Sequence, residues 1–252
     1  MGETIDILKL VTSLIDVFLF TLLGLYLTMK IRTMNVFDKM HKLYRELSDL
    51  KCQSSTVNEL ANLQLQLKHL LLEINDSYKW RFVVLTQSQN RLMADCCEEF
   101  LYFNEANKYW KKCFSFKFCI KEVESEYHRR YGQFLYHICD FDNGTIEFKK
   151  ALKLPNDNDG RKYINVFTCI EWALCTEILL KKRLDQKERF ESVKDKIADR
   201  FEMAIQIKDT ISNVTMKETT GKKIDKEVEH YPWLKGYLLT RMGKVNKNLQ
   251  HN

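Results

Sequence analysis

RLMADCCEEFLYFNEANKYWKKCFSF (residues 91–116) and RRYGQFLYHICDFDNGTIEFKKALKL (residues 129–154) carry one pattern twice, at an offset of 38 residues. Small residues coincide: Ala94 with Gly132, Ala106 with Gly144, Cys113 with Ala151. Trp110 aligns with Phe148. A short polar stretch, Phe103-Asn104-Glu105 in one and Phe141-Asp142-Asn143 in the other, divides two apolar-periodic runs. Each segment therefore reads as two helices around a turn. Small residues let paired helices approach closely, and the large ring fills the groove beside them. Composition agrees with an all-α fold. Only 2 prolines and 8 glycines punctuate 252 residues, too few turn formers for an all-β chain. Leu, Lys, Glu, Met and Gln fill most segments, as helix propensity favours.

The spacing Ala94/Ala106/Trp110/Cys113 and Gly132/Gly144/Phe148/Ala151 resembles the tetratricopeptide repeat. That family places a small residue in its first helix, another twelve positions later, then an aromatic and a further small residue. Pro155 stands one residue short of the family's closing proline, and 38 residues exceeds its usual period of about 34. Phe201 and Ala204, with Trp172-Ala173 upstream, outline a looser third unit in which Ile197 replaces a small residue. The resemblance implies a helix-pair domain that binds a peptide or protein partner on a concave surface.

Leu10 to Met29 reads LVTSLIDVFLFTLLGLYLTM. Twenty residues at 1.5 Å rise cover about 30 Å, the thickness of a bilayer's hydrocarbon core. A signal peptide would have a basic start, a shorter apolar run and a small-residue cleavage site. Here the start is acidic (Glu3, Asp6), and Lys30, Arg32, Lys39 and Lys42 follow the span. The positive-inside rule then places the C-terminal domain in the cytosol. Eight cysteines at 52, 96, 97, 113, 119, 139, 169 and 175 form no CxxC pair and no zinc-ligand spacing. They read as reduced thiols packed in helix cores. The sequons at Asn75, Asn143 and Asn213 would carry glycans only in a lumenal domain.

Asp6, Lys9, Ser13 and Asp16 share one helix face at 3-4-3 spacing. A carboxylate near the bilayer centre costs roughly 2.5–3.5 kcal/mol. A polar stripe on a single span thus suggests a homo-oligomer, with a pore along its axis as one form of it. The competing reading is a plain lipid anchor with Asp16 protonated or snorkelling. Beyond the span, Phe37, Met40, Tyr44 and Leu47 repeat at 3-4-3. After a break at Gln53-Ser54-Ser55 and a capping-box pattern at Thr56–Glu59, Leu60, Leu63, Leu67, Leu70 and Ile74 do the same. These two runs read as an antiparallel hairpin, with Leu65, Leu71 and Leu72 widening the buried face. The expected organisation is an anchor over 1–30, a hairpin stalk over 31–80 and a helical-repeat domain over 81–252. Within the last, 165–180 reads as a core helix, 190–207 as an amphipathic helix and 217–227 as a polar loop. Tyr231-Pro232-Trp233 opens a final helix, and the tail after Arg241 frays.

Nothing resembles a Walker loop, GxGxxG, HExxH, GxSxG or a kinase signature. Arg130 and His137, seven apart on one helix face, have a spacing similar to that of HEPN-type ribonucleases. That resemblance implies an all-helical nuclease whose arginine and histidine meet across two subunits. Tyr131 departs from the polar residue that follows the family's arginine. With 6 histidines in the chain, about one such spacing arises by chance. Glu98-Glu99, Glu122-Glu124-Glu126 and Asp140-Asp142 read as solvated faces. The loop NDNDG at 156–160 lacks EF-hand spacing and a closing Glu. No metal or cofactor is expected. A net charge of +6 without an arginine–aromatic stripe gives nucleic-acid binding no support outside the nuclease alternative. The expected function is a membrane-anchored, oligomeric helical scaffold or regulator with lipid and a protein as partners. The alternative is a membrane-associated antiviral-defence effector, pore-forming or HEPN-like.

Overall fold

The computed structural model describes residues 2–52, 57–79, 84–182, 187–229 and 231–238. Among them every regular element is a helix and there is no strand. The chain divides into two compact units, Met1–Phe116 and Lys117–Asn252.

In the first unit, α1 (Gly2–Cys52) runs without interruption for 51 residues. The apolar run and the first helix beyond it are therefore one element. No glycine or proline between Leu25 and Cys52 could break it. Apolar side chains from Leu14 to Leu27 are exposed, Phe20 at 74%. From Thr33 onward one stripe is buried: Thr33, Val36, Phe37, Met40 and Leu47. The same holds for Leu67, Leu71 and Ile74 of α2 (Val57–Lys79), which folds back along α1. Arg32 donates to Glu73 at 2.7 Å, a pairing only an antiparallel hairpin permits. Leu65 and Leu72, expected to widen the buried face, are exposed. They lie two turns apart on a side of α2 that no other described element covers. The break at Gln53–Ser55 and the capping pattern at Thr56 fall outside the described residues.

A different capping box starts α3 (Gln87–Glu99). The Thr86 hydroxyl accepts from the Gln89 amide, and the Gln89 side chain accepts from the Thr86 amide. Lys51 donates to Glu99 at 2.6 Å and Gln64 donates to it at 3.1 Å, which ties α3 to the hairpin. The first unit closes with α4 (Phe103–Cys113), whose Tyr109 hydroxyl donates to Asn75 at 3.2 Å.

The second unit holds α5 (Lys121–His137), α6 (Phe141–Ala151), α7 (Asp159–Lys182), α8 (Lys187–Asp209), α9 (Val214–Glu229) and a short helix over 232–238. Phe148, Val166, Ile170, Ile197, Phe201, Ala204, Ile224 and Leu234 meet in one core. Arg200 is buried with them, its guanidinium 3.9 Å from the Trp172 ring centre, and Nη1 donates to the Lys196 carbonyl. Stacking on an indole face partly replaces the hydration that the charge loses.

Residues 217–227 are helix, not loop. Asn213 caps α9 by accepting from the Met216 amide at 3.0 Å, and Thr220 and Ile224, one turn apart, are buried. Two inward positions suffice to hold a helix whose other residues are polar. The NDNDG segment is spent on the fold. Asn158 accepts from the Arg161 amide at 2.9 Å and starts α7. Asp159 accepts from the amides of Ser212 and Asn213 at 3.1 and 2.7 Å, pinning the α8–α9 turn. Those bonds hold its carboxyl below the usual range.

Candidate functional site

The two helix pairs, α3/α4 and α5/α6, correspond residue for residue. Their turns make the same bonds at the same offset. Phe100 donates to Cys96, Leu101 to Glu98 and Tyr102 to Cys97; Ile138 donates to Phe134, Cys139 to Tyr136 and Asp140 to Leu135. Both turns pass through a left-handed residue, Leu101 at φ 61° and Cys139 at φ 69°. This is the Schellman ending, in which the last helical carbonyls are satisfied as the chain reverses. The turns thus lie at 100–102 and 138–140. The triplets 103–105 and 141–143, read as turns from their polarity, are the first turns of α4 and α6. Leucine and cysteine hold the positions where glycine usually signals such an ending.

All eight residues of the repeat pattern are buried: Ala94, Ala106, Trp110 and Cys113 in one pair, Gly132, Gly144, Phe148 and Ala151 in the other. At the α5/α6 crossing the two glycines face each other. A Cβ on Gly132 would lie 3.3 Å from the Gly144 carbonyl oxygen, and one on Gly144 would lie 3.2 Å from that of Gly132. Tyr136 roofs the crossing. Its hydroxyl is hydrogen-bonded to Thr145 at 2.9 Å and accepts from the Trp172 indole at 3.0 Å. Phe148 stacks on Trp172 with ring centres 5.7 Å apart.

Arg130 and His137 lie on α5, the histidine exposed in its last turn. Arg130 donates to Gln133 at 3.1 Å on the same helix, and Gln133 donates to Glu171 of α7 at 2.6 Å. Glu171 also accepts from Arg129 at 3.0 Å. Burial pushes the Glu171 carboxyl up, against the pull of Arg129 and Arg130. This network fastens α5 to α7. A second one, which the sequence did not single out, links α5 to α6. His128 Nδ1 lies 2.6 Å from Glu147, and Lys150 donates to Glu147 at 2.7 Å. Burial alone would raise Glu147, but the bonds from His128 and Lys150 outweigh it and hold the carboxyl low. The i,i+3 placement of Glu147 and Lys150 is visible in the sequence; the partner nineteen residues upstream is not.

On α1, Ser13 and Asp16 are exposed; the side chains of Asp6 and Lys9 fall outside the described residues. Among the described cysteines, 96, 97, 113, 169 and 175 are buried thiols and 119 and 139 are exposed. Burial pushes Cys97, Cys113 and Cys169 up to about 12, so these sulfurs are poor nucleophiles near neutral pH. Among the described residues no group of three or more His, Cys, Asp or Glu side chains could hold a metal ion. Among the described residues one helix, α1, is long and apolar enough to cross a membrane. Compared with known protein families, curated proteins and solved structures, the chain matches none.

Proposed function

We propose that the chain is a membrane-anchored helical scaffold or regulator that oligomerises through its span and binds a protein partner on the cytosolic side. The observation that carries this reading is the exposed apolar stretch of α1, continuous with a helix whose next turns are packed. Soluble monomers seldom leave more than a few hundred Å² of contiguous apolar surface in water, and a bilayer is the cover such a length fits. Lys30, Arg32, Lys39 and Lys42 beyond it favour a cytosolic C-terminal region. Buried cysteines outside any disulfide agree with a reducing compartment. The close glycine crossing and the repeated helix pair support a helix-pair domain of the kind that presents a binding surface. The alternative is a membrane-associated effector, with a pore along the Asp6/Lys9/Ser13/Asp16 stripe as one form of it. The nuclease alternative rests on Arg130 and His137 alone.

The test is fractionation followed by labelling of intact and lysed cells. Retention in membranes through alkaline carbonate supports the span. Labelling of the exposed Cys119 and Cys139 by an impermeant maleimide only after lysis supports the orientation. Release by carbonate overturns the anchor, and labelling in intact cells overturns the topology. Light scattering of the detergent-purified chain reads the assembly: a ring favours the oligomer, a monomer removes it.

A further inference from the structure

Between the first turns of α5 and the end of α6 lies a cleft of about 380 Å³. Lys121, Glu124, Ser125 and His128 line it from α5, and Lys150, Lys153 and Leu154 from the other side. The helix-pair repeat gives this cleft a point of comparison. In the first pair the residue matching Ser125 is Gln87, whose side-chain amide donates to the Cys113 carbonyl at 3.0 Å. Ser125 donates to the matching carbonyl, Ala151, at 2.9 Å. A hydroxyl on one carbon thus meets the same acceptor as a long amide does. The surrounding side chains differ in the same sense. Thr86, Asn90 and Ser115 in the first pair are matched by Glu124, His128 and Lys153 in the second, and Val83 by Lys121.

The charges around the cleft do not cancel. Glu147 is taken up by His128 and Lys150. Glu124 leans toward the other ring nitrogen of His128 at 3.9 Å. The ammonium groups of Lys121 and Lys153 make no hydrogen bond or ion pair with another described residue. Two ammonium groups therefore border one opening whose lining carboxylate is Glu124, with an imidazole and the Glu147-paired Lys150 beside them. Lysine ammonium groups are compact point charges that bind phosphate oxygens without a fixed fork geometry.

The geometry points to a binding site for the phosphate group of a small phosphate monoester in this cleft. The site is independent of the membrane reading, because every residue in it belongs to the second unit. Inorganic phosphate is the first probe, titrated by calorimetry into the full chain in detergent at constant ionic strength. Glycerol 3-phosphate and nanodiscs with and without phosphatidic acid then separate a soluble ester from a lipid headgroup bearing the same chemistry. Saturable binding of phosphate is expected, tightened by one of the two esters. Lys121→Gln with Lys153→Gln should weaken it at least tenfold. Ser125→Gln, which installs the side chain of the first pair, should abolish it, with the helical circular dichroism retained. No saturable heat in the parent overturns the site, and so does equal affinity in parent and the lysine double variant. If Ser125→Gln does not fold, the double variant decides alone.

Discussion

Adding one methyl group at Gly144 sets two opposed effects against each other in a single measurement. Alanine is a better helix former than glycine by about 1 kcal/mol, so the substitution helps wherever there is room. At Gly144 there is none. The new Cβ would lie 2.6 and 2.9 Å from two carbons of the Tyr136 ring and 3.2 Å from the Gly132 carbonyl oxygen. The ring cannot simply swing aside. Its hydroxyl is bonded to Thr145 and Trp172, and Phe141 and Phe148 pack against it at centroid distances of 5.5 and 5.8 Å. Overpacking of this kind costs about 1–3 kcal/mol. If the ring yields, the buried indole of Trp172 loses its acceptor, at a cost of about 1–3 kcal/mol. The steric effect wins, and Gly144→Ala should destabilise by about 2 kcal/mol, a fall of roughly 4–8 °C in the unfolding midpoint. The control is Gly221→Ala in α9, where the nearest atom to a new Cβ is the flexible Lys208 chain at 4.0 Å. There the propensity gain stands alone, and the midpoint should rise by a few degrees. Thermal unfolding of the detergent-purified chain, followed by circular dichroism and tryptophan fluorescence, reads both. A Gly144→Ala midpoint equal to or above the parent would refute the close crossing and the pinned ring together.

Three further outcomes follow from other parts of the molecule. Leu101→Gly should stabilise by about 0.5–1 kcal/mol, because relief of a left-handed leucine (about 1–2 kcal/mol) exceeds the extra freedom of the unfolded chain (about 0.4–1 kcal/mol); Leu101 is 70% exposed, so little burial is lost, and a lower midpoint would contradict the turn geometry. Glu147 is held below its usual value of 4.5, so the unfolded chain takes up its proton first as pH falls. The stability it contributes is present above that value and is lost as pH drops through the lower folded one. Glu147→Gln should therefore lower the midpoint at pH 6 and have a shrinking effect toward pH 3; a pH-independent difference would deny the carboxylate its role. Asp16→Leu should reduce the size of the detergent-solubilised assembly by light scattering, and an unchanged mass would show that the polar stripe does not assemble the chain.

Much of the helical plan is legible in the residues because it rests on periodicity. The apolar run is exposed from Leu14 to Leu27, and the stripe Phe37/Met40/Leu47 and the small-residue pattern of the two pairs, which recur at helical spacing, are buried. What escaped is of another kind. The Schellman turns at Leu101 and Cys139 carry no glycine, so their left-handed conformation left no mark in composition. The α9 helix hides behind polarity because only two of its positions face inward strongly. The exposure of Leu65 and Leu72 follows from their lying on a side of α2 that no other described element covers, which spacing does not encode. The pairing of the two glycines was suggested by their small size, while the tyrosine roof above them was not: its counterpart in the first pair is Glu98, and Ala106 stands where Gly144 does. The networks around Glu147 and Glu171 depend on partners nineteen and some forty residues away, beyond the reach of any local pattern.

The length of α1 gives the protein a lever. No hinge residue separates the exposed apolar turns from the packed ones, so the proposed span and the hairpin's long arm turn as one rod. From Lys30 to Cys52 the arm extends about 34 Å. A tilt of about 20° within the bilayer, ordinary for a single helix, would sweep its far end sideways by about 12 Å. A twist of the span about its own axis would reach the hairpin at full angle. Bilayer thickness, which sets tilt, thus becomes a mechanical input to everything fastened at Lys51 and Glu99.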